Sequence, residues 1–168
     1  MLTAQEVIHI MELKPHPAEG GYYGETYRSP ENIPAEVLPT VYRTERAFST
    51  AIYYLLTPQT CSRLHRLPGV EIFHFYLGDP LEMLLLYPDG HTQEIVMGAD
   101  LAAGQQVQTL VPAGVWQGSC LKPGGRWVLL GTTMSPGFDY RDYETGRRAK
   151  LLADYPDQKE RIEKLTLE

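Results

Sequence analysis

CSRLHRLPGVEIFHFYLG, residues 61–78, reads as two strands around one tight turn. Cys61 to His65 mixes apolar and polar residues, Leu67-Pro68-Gly69 is a turn, and Val70 to Leu77 is rich in aromatic and β-branched residues. Outward from it the same punctuation repeats. Strand-like runs fall at 48–56, 60–65, 70–77, 81–87, 91–96, 107–111, 115–121 and 126–134. Between them stand Thr57-Pro58-Gln59, Gly78-Asp79-Pro80, Pro88-Asp89-Gly90, Pro112-Ala113-Gly114 and Lys122-Pro123-Gly124-Gly125. Short strands at that spacing predict an all-β antiparallel sandwich or barrel. No helical pattern separates them, which excludes a parallel α/β sheet.

The ends differ from the centre. Thr3 and Glu6 form a capping box for a short helix reaching about Met11, which Lys14-Pro15-His16-Pro17 stops. Gly20-Gly21 is a flexible joint, Tyr22 to Arg28 a strand in need of an edge, and Ser29 to Pro39 a proline-rich arm. The tail from Asp154 to Leu165 predicts one helix, with Asp154 near the cap and Pro156 in the first turn. One domain is expected over 1–168: helix and arm at 1–40, barrel at 41–138, C-terminal segment and helix at 139–168.

Composition bounds the partners. The 168 residues are 43% apolar and 21% charged, with 15 Gly, 13 Pro, 11 Tyr and a net charge of −6. The negative balance argues against binding nucleic acid by phosphate neutralisation. No run is long and apolar enough to span a bilayer, and no signal peptide is read at the N-terminus, so a cytoplasmic protein is expected. Two cysteines, Cys61 and Cys120, are expected as free packing thiols.

Residues 62–78 resemble the first motif of the cupin superfamily: a histidine, a glutamate, six residues and a glycine. Glu71 to Gly78 carries the glutamate-to-glycine part, His65 stands at the first histidine, and Leu67 replaces the second. The second motif, a glycine followed by P-x-G-x-x-H, is read as Gly104 and then Pro112-Ala113-Gly114-Val115-Trp116-Gln117, with Gln117 at the histidine position. The chain is most similar to the cupin-5 subgroup. The similarity includes Leu13-Lys14-Pro15-His16-Pro17-Ala18-Glu19-Gly20-Gly21-Tyr22, Arg43, Ala51 to Leu56, Asp89-Gly90 and Ser135 to Phe138. The resemblance implies a double-stranded β-helix, or jelly-roll barrel, a deep pocket and a homodimer. It implies no settled activity.

The residues themselves supply candidates. His65 and Glu71 flank the Leu67-Pro68-Gly69 turn and are expected as cross-strand neighbours. Such a pair works as an acid–base dyad, as two metal ligands, or as a satisfied buried contact. Tyr140, with Tyr143, is placed at the pocket mouth as a weak candidate acid. Ser62, Arg43 and Arg63 are candidates for an anionic or hydroxylated ligand, with surface or dimer ion pairs as the alternative for the arginines. Phe73, Phe75 and Trp116 are expected as apolar pocket walls, Trp116 equally as core. A divalent metal is not expected: His65 and Glu71 leave Gln117 as a poor third ligand. His74 lies on the opposite strand face from Glu71, Phe73, Phe75 and Leu77. His16 and Glu19 fall in the arm, which reads as a linker or as a reach into a partner's barrel. The resulting expectation is a protein binding a small polar or sugar-like ligand. In the enzyme version, an epimerase or isomerase, His65 is the base and Glu71 orients it. A metal-dependent oxygenase or isomerase and a non-catalytic binding module are the alternatives.

Overall fold

The computed structural model describes residues 2–167. After helix α1 (Ala4–Ile10), the strands in chain order are β1 (Lys14–Pro15), β2 (Tyr22–Arg28), β3 (Asn32–Ile33), β4 (Arg46–Ala47), β5 (Thr50–Leu56), β6 (Cys61–Arg66), β7 (Glu71–Gly78), β8 (Leu81–Leu86), β9 (Thr92–Met97), β10 (Gln108–Val111), β11 (Trp116–Leu121), β12 (Val128–Met134) and β13 (Glu144–Thr145). Helices α2 (Arg148–Asp154) and α3 (Lys159–Leu165) end the chain. One antiparallel sheet has the order β1-β2-β5-β12-β7-β10 and the other β13-β6-β11-β8-β9, with β3 and β4 as a separate pair. Two such sheets packed face to face make the expected jelly-roll barrel.

Three apolar clusters hold it together. The barrel interior is filled by Leu56, Phe73, Leu81, Met83, Leu85, Met97, Val128 and Leu130, among others. The outer face of the second sheet buries Leu64, Leu84, Leu86 and Trp116 against Leu151, Tyr155, Ile162 and Leu165 of the C-terminal segment. The outer face of the first buries Leu55, Trp127 and Leu129 against Val7 of α1 and Leu13. Strand β8 is therefore covered on both sides, which explains why Leu84-Leu85-Leu86 is continuously apolar rather than alternating. Among the described residues no helix is long and apolar enough to cross a membrane.

Several expectations change. Cys61 and Cys120 are not free thiols: they stand opposite each other on β6 and β11 and form a disulfide. The tail is two helices, not one. Pro156 has no N–H to continue the ladder, and Tyr155 before it is driven off the helical conformation to φ −135°, ψ 65°. Asp154 is thus the last residue of α2 rather than a cap. On β7 a register shift opposite Leu129/Leu130 inserts Tyr76 as an extra residue, so Leu77 leaves the inner face and is 59% exposed. The Tyr22–Arg28 strand finds its edge within its own barrel, against β5.

The arm enters the barrel through Gly20 and Gly21, both with positive φ (97° and 68°). A Cβ on Gly20 would lie 2.5 Å from the Cys61 carbonyl oxygen, and one on Gly21 would lie 2.8 Å from that of Leu55. Only glycine combines that backbone with that approach. Gly20→Ala is expected to lower stability by about 1–3 kcal/mol, read as a fall in the urea midpoint; an unchanged midpoint would show that the contact is not a constraint.

Candidate functional site

The polar residues of the interior gather at one end of the barrel, on β5, β6, β7, β11 and β12 and on the His16–Gly21 segment. A register shift between β11 and β6 brings this about. Ser62 pairs with Ser119 and His65 with Gln117, with two residues between them on β6 against one on β11. The extra residue turns Ser62 and His65 to the same inner face, which strict alternation would separate. All four of these side chains are buried.

His65 and Glu71 do not form the expected pair: no hydrogen bond or ion pair joins them among the described residues. The carboxylate that meets the imidazole is Glu19, with Oε1 3.3 Å from Nε2, close enough for an ion pair but without hydrogen-bond geometry. His65 Nδ1 lies 2.7 Å from the Arg63 carbonyl oxygen, and its ring stacks on Tyr143 at 4.8 Å between centroids. Glu71 instead accepts a hydrogen bond from Gln117 Nε2 at 2.6 Å. Ser62 Oγ donates to Glu19 Oε2 at 3.3 Å, and the Arg63 amide donates to the Glu19 carbonyl.

A cavity of about 210 Å³ opens above these groups. His16, Glu19, Tyr23, Glu71, Thr132 and Tyr140 line it, with Glu25 and Arg28 at its rim. Glu25 and Arg28 neutralise each other through contacts of 2.7–3.2 Å. His16 is fixed by its backbone: Nδ1 accepts from the amides of Ala18 (3.3 Å) and Glu19 (2.9 Å). Amides only donate, so this nitrogen is the bare one and the hydrogen of the neutral ring sits on Nε2.

Burial sets the proton affinities. It pushes the Glu19 carboxyl up, and it pushes Glu71 up with help from the charge of Glu19. It pushes His16 and His65 down, so both favour the neutral ring. It raises the phenols of Tyr54, Tyr140 and Tyr143, which therefore keep their protons.

The other expected site residues lie elsewhere. Phe73 belongs to the barrel core and Phe75 packs against it. Trp116 is buried outside the barrel beneath the C-terminal helices, with the Arg66 guanidinium 4.5 Å above its ring. Arg43 lines a separate surface cleft with Arg46, Asp142 and Glu144. Arg63 donates to the Ala18 carbonyl. His74, on the outer face, contacts Thr133 and Gln108. Tyr140 stands at the cavity, 47% exposed. Among the described residues no group of three or more His, Cys, Asp or Glu is placed to hold a metal.

Two antiparallel sheets closed around a polar pocket define a cupin-type barrel. The chain belongs to the Cupin_5 family of the cupin superfamily (DUF985), whose model matches residues 5–146. It is 35% identical over 150 residues to the uncharacterized protein YML079W of Saccharomyces cerevisiae, covering 84% of this chain and 74% of that one. A hypothetical protein from Leishmania major superposes with a TM-score of 0.88 at 33% identity, over 99% of this chain and 100% of that one. Protein SO0799 of Shewanella oneidensis gives 0.87 at 35%, over 99% of each. Oxalate decarboxylase of Bacillus subtilis shares the fold alone, with a TM-score of 0.54 at 14% identity over 92% of this chain and 38% of that one.

The buried carboxyls fix the sign of a pH effect. Glu19 and Glu71 hold protons in the folded state that the unfolded chain has released above 4.5, so stability falls as pH rises from there toward their raised values. His16 and His65 act oppositely: stability falls as pH drops below 6.5 toward their lowered values. Glu71→Gln is expected to flatten the fall between pH 4.5 and neutrality, measured by urea unfolding across that range; an unchanged slope would remove Glu71 as a titrating group.

Proposed function

We propose that the barrel binds a small, neutral, hydroxylated ligand and exchanges protons with it, as an epimerase or isomerase does. The observation that carries this reading is the pair of buried carboxyls, Glu19 and Glu71, facing one cavity beside His16 and Tyr140. Size favours a small ligand, since about 210 Å³ is below the roughly 300 Å³ at which drug-sized pockets begin. Charge favours a neutral one. Arg28, the guanidinium on the cavity wall, is already held by Glu25, and no other lining residue is a lysine or arginine to receive phosphate or carboxylate. Hydroxyls and carbonyls of a sugar-like molecule match the mixture of carboxyl, phenol and imidazole groups.

In this reading the proton-transfer roles pass from the pair His65 and Glu71 to Glu71 and Glu19, because His65 is behind the cavity wall. Neutral sugars and hydroxycarbonyl compounds, screened by ligand-observed NMR in deuterated water, test both halves. Binding with deuterium entering a C–H position supports an enzyme; binding without exchange supports a binding module. Glu71→Gln is expected to weaken a hit roughly a hundredfold, because it removes the charged partner of a buried hydrogen bond. Equal affinity for the two proteins would remove Glu71 from the site.

We also infer a homodimer. Strand β1 pairs only with Tyr22 and Tyr23, so the backbone edge of β2 from Gly24 to Arg28 is open. Tyr27 on that edge is 51% exposed. An open backbone edge is a template for pairing with a second copy, and two-fold dimers are the commonest closed assembly. Light scattering is expected to give twice the chain mass at micromolar concentration; a monomer mass would refute it.

A further inference from the structure

The contacts of His65 fix where one proton lies. The Arg63 carbonyl only accepts, so His65 Nδ1, 2.7 Å from it, carries a hydrogen. A neutral ring then has a bare lone pair on Nε2, and that atom lies 3.3 Å from Glu19 Oε1. A bare lone pair beside an ionised carboxylate is repulsive, so a proton on one of the two groups is favoured. It sits either on the carboxyl, leaving both groups neutral, or on the ring, making a buried ion pair.

The surroundings favour the carboxyl. His16, on the same segment, cannot supply a cation without breaking its two amide contacts, because Nδ1 would have to take the hydrogen. On β5, the Tyr54 hydroxyl donates to the Gly20 carbonyl at 2.8 Å and also bears on the Glu19 carboxyl, which it lowers by less than burial raises it. On β6, Ser62 offers one neutral donor at 3.3 Å, and Arg63 gives an N–H to the Ala18 carbonyl. On β7, Glu71 and Glu19 disfavour two negative charges in one site, and the pull of Glu71 on a proton at His65 is outweighed by the burial of that ring. From the C-terminal segment come the phenols Tyr140 and Tyr143, both neutral. Burial moves Glu19 up and His65 down, the directions that leave both groups neutral.

We propose that Glu19 is a protonated carboxylic acid at neutral pH and the proton donor of the cavity, with His65 a positioning residue behind the wall whose bare Nε2 disfavours the ionised carboxylate. The ligand group facing Glu19 is then a hydrogen-bond acceptor, a carbonyl or ether oxygen, while Glu71 is the carboxylate that accepts from ligand donors or takes a proton from carbon. For a hydroxycarbonyl ligand the balance closes without a co-reactant. The C–H electrons become the C=C bond of an enol, Glu71 takes the proton, the carbonyl oxygen takes the proton of Glu19, and both return in the reverse step. The use of the proton rests on the proposed function; its location is a property of the ligand-free protein.

The test is therefore made without ligand. Infrared difference spectra and nitrogen-15 NMR of the histidines, at neutral pH, compare wild type with Glu19→Gln and Glu71→Gln. The expected result is one buried carboxylic acid C=O band in wild type and Glu71→Gln, its loss in Glu19→Gln, and His65 as the neutral Nδ1–H tautomer throughout. No band in wild type, a band lost only in Glu71→Gln, or an imidazolium at His65 would overturn the assignment. Should Glu19→Gln not fold, the wild-type His65 state and the Glu71→Gln spectrum decide it. If the band behaves as expected and no sugar-like compound binds, the ligand reading fails while the proton assignment stands.

Discussion

The close approach of the Gly20 backbone to the carbonyl of Cys61 is the contact on which the candidate site depends. There the chain leaves α1 and the proline-bearing segment, turns against β6 with positive φ, and enters β2 along β5. The same reversal carries Glu19 to the inner face of the barrel, where Ser62 and His65 meet its carboxyl. A side chain at residue 20 would push the turn outward and take the carboxyl with it. A backbone requirement of one residue is thus converted into the placement of the neighbouring ionisable group.

Placing carboxyls and imidazoles in a dry interior is costly unless they are hydrogen-bonded or shed their charge. The structure does both. Gln117 and Ser62 supply donors, and burial drives carboxyls and rings toward their neutral forms. The cost is offset by the rest of the barrel. Three apolar clusters, one inside and one on the outer face of each sheet, bury every leucine of β8, β11 and β12. The terminal helices are therefore more than appendages: they cover the apolar outer faces that let a small barrel spend one end on polar chemistry.

The strand–turn rhythm, the N-terminal capping box and the cupin-type motifs were legible because each is local: proline, glycine and period-two patterning act over a few residues. Candidate site residues were legible in part. Glu71 and Gln117 do share the barrel's polar end, and Ser62 does face it. The partner of His65 was not legible, because Glu19 is forty-six residues away and belongs to a segment that reads as a linker. The Gly20-Gly21 pair beside Glu19 was the available signal, since adjacent glycines mark a close backbone approach as well as a joint. Phe73, Phe75 and Trp116 were assigned to the pocket by residue type, yet type does not distinguish a barrel wall from a core or from an outer-face cluster.

By itself the sequence determined an antiparallel all-β barrel with helical ends, because hydrophobic period and turn chemistry are written in adjacent residues. Only the tertiary structure decided the faces and the partners. One extra residue on β6 and one on β7 reverse the alternation that parity reasoning assumes, so Ser62 joins His65 and Leu77 leaves the interior. Cys61 and Cys120 pair because the register sets them opposite each other, a relation that no spacing along the chain contains. The proton at Glu19 likewise depends on a carbonyl, an imidazole and a carboxyl drawn from two separate segments, and on the low dielectric that their common burial creates.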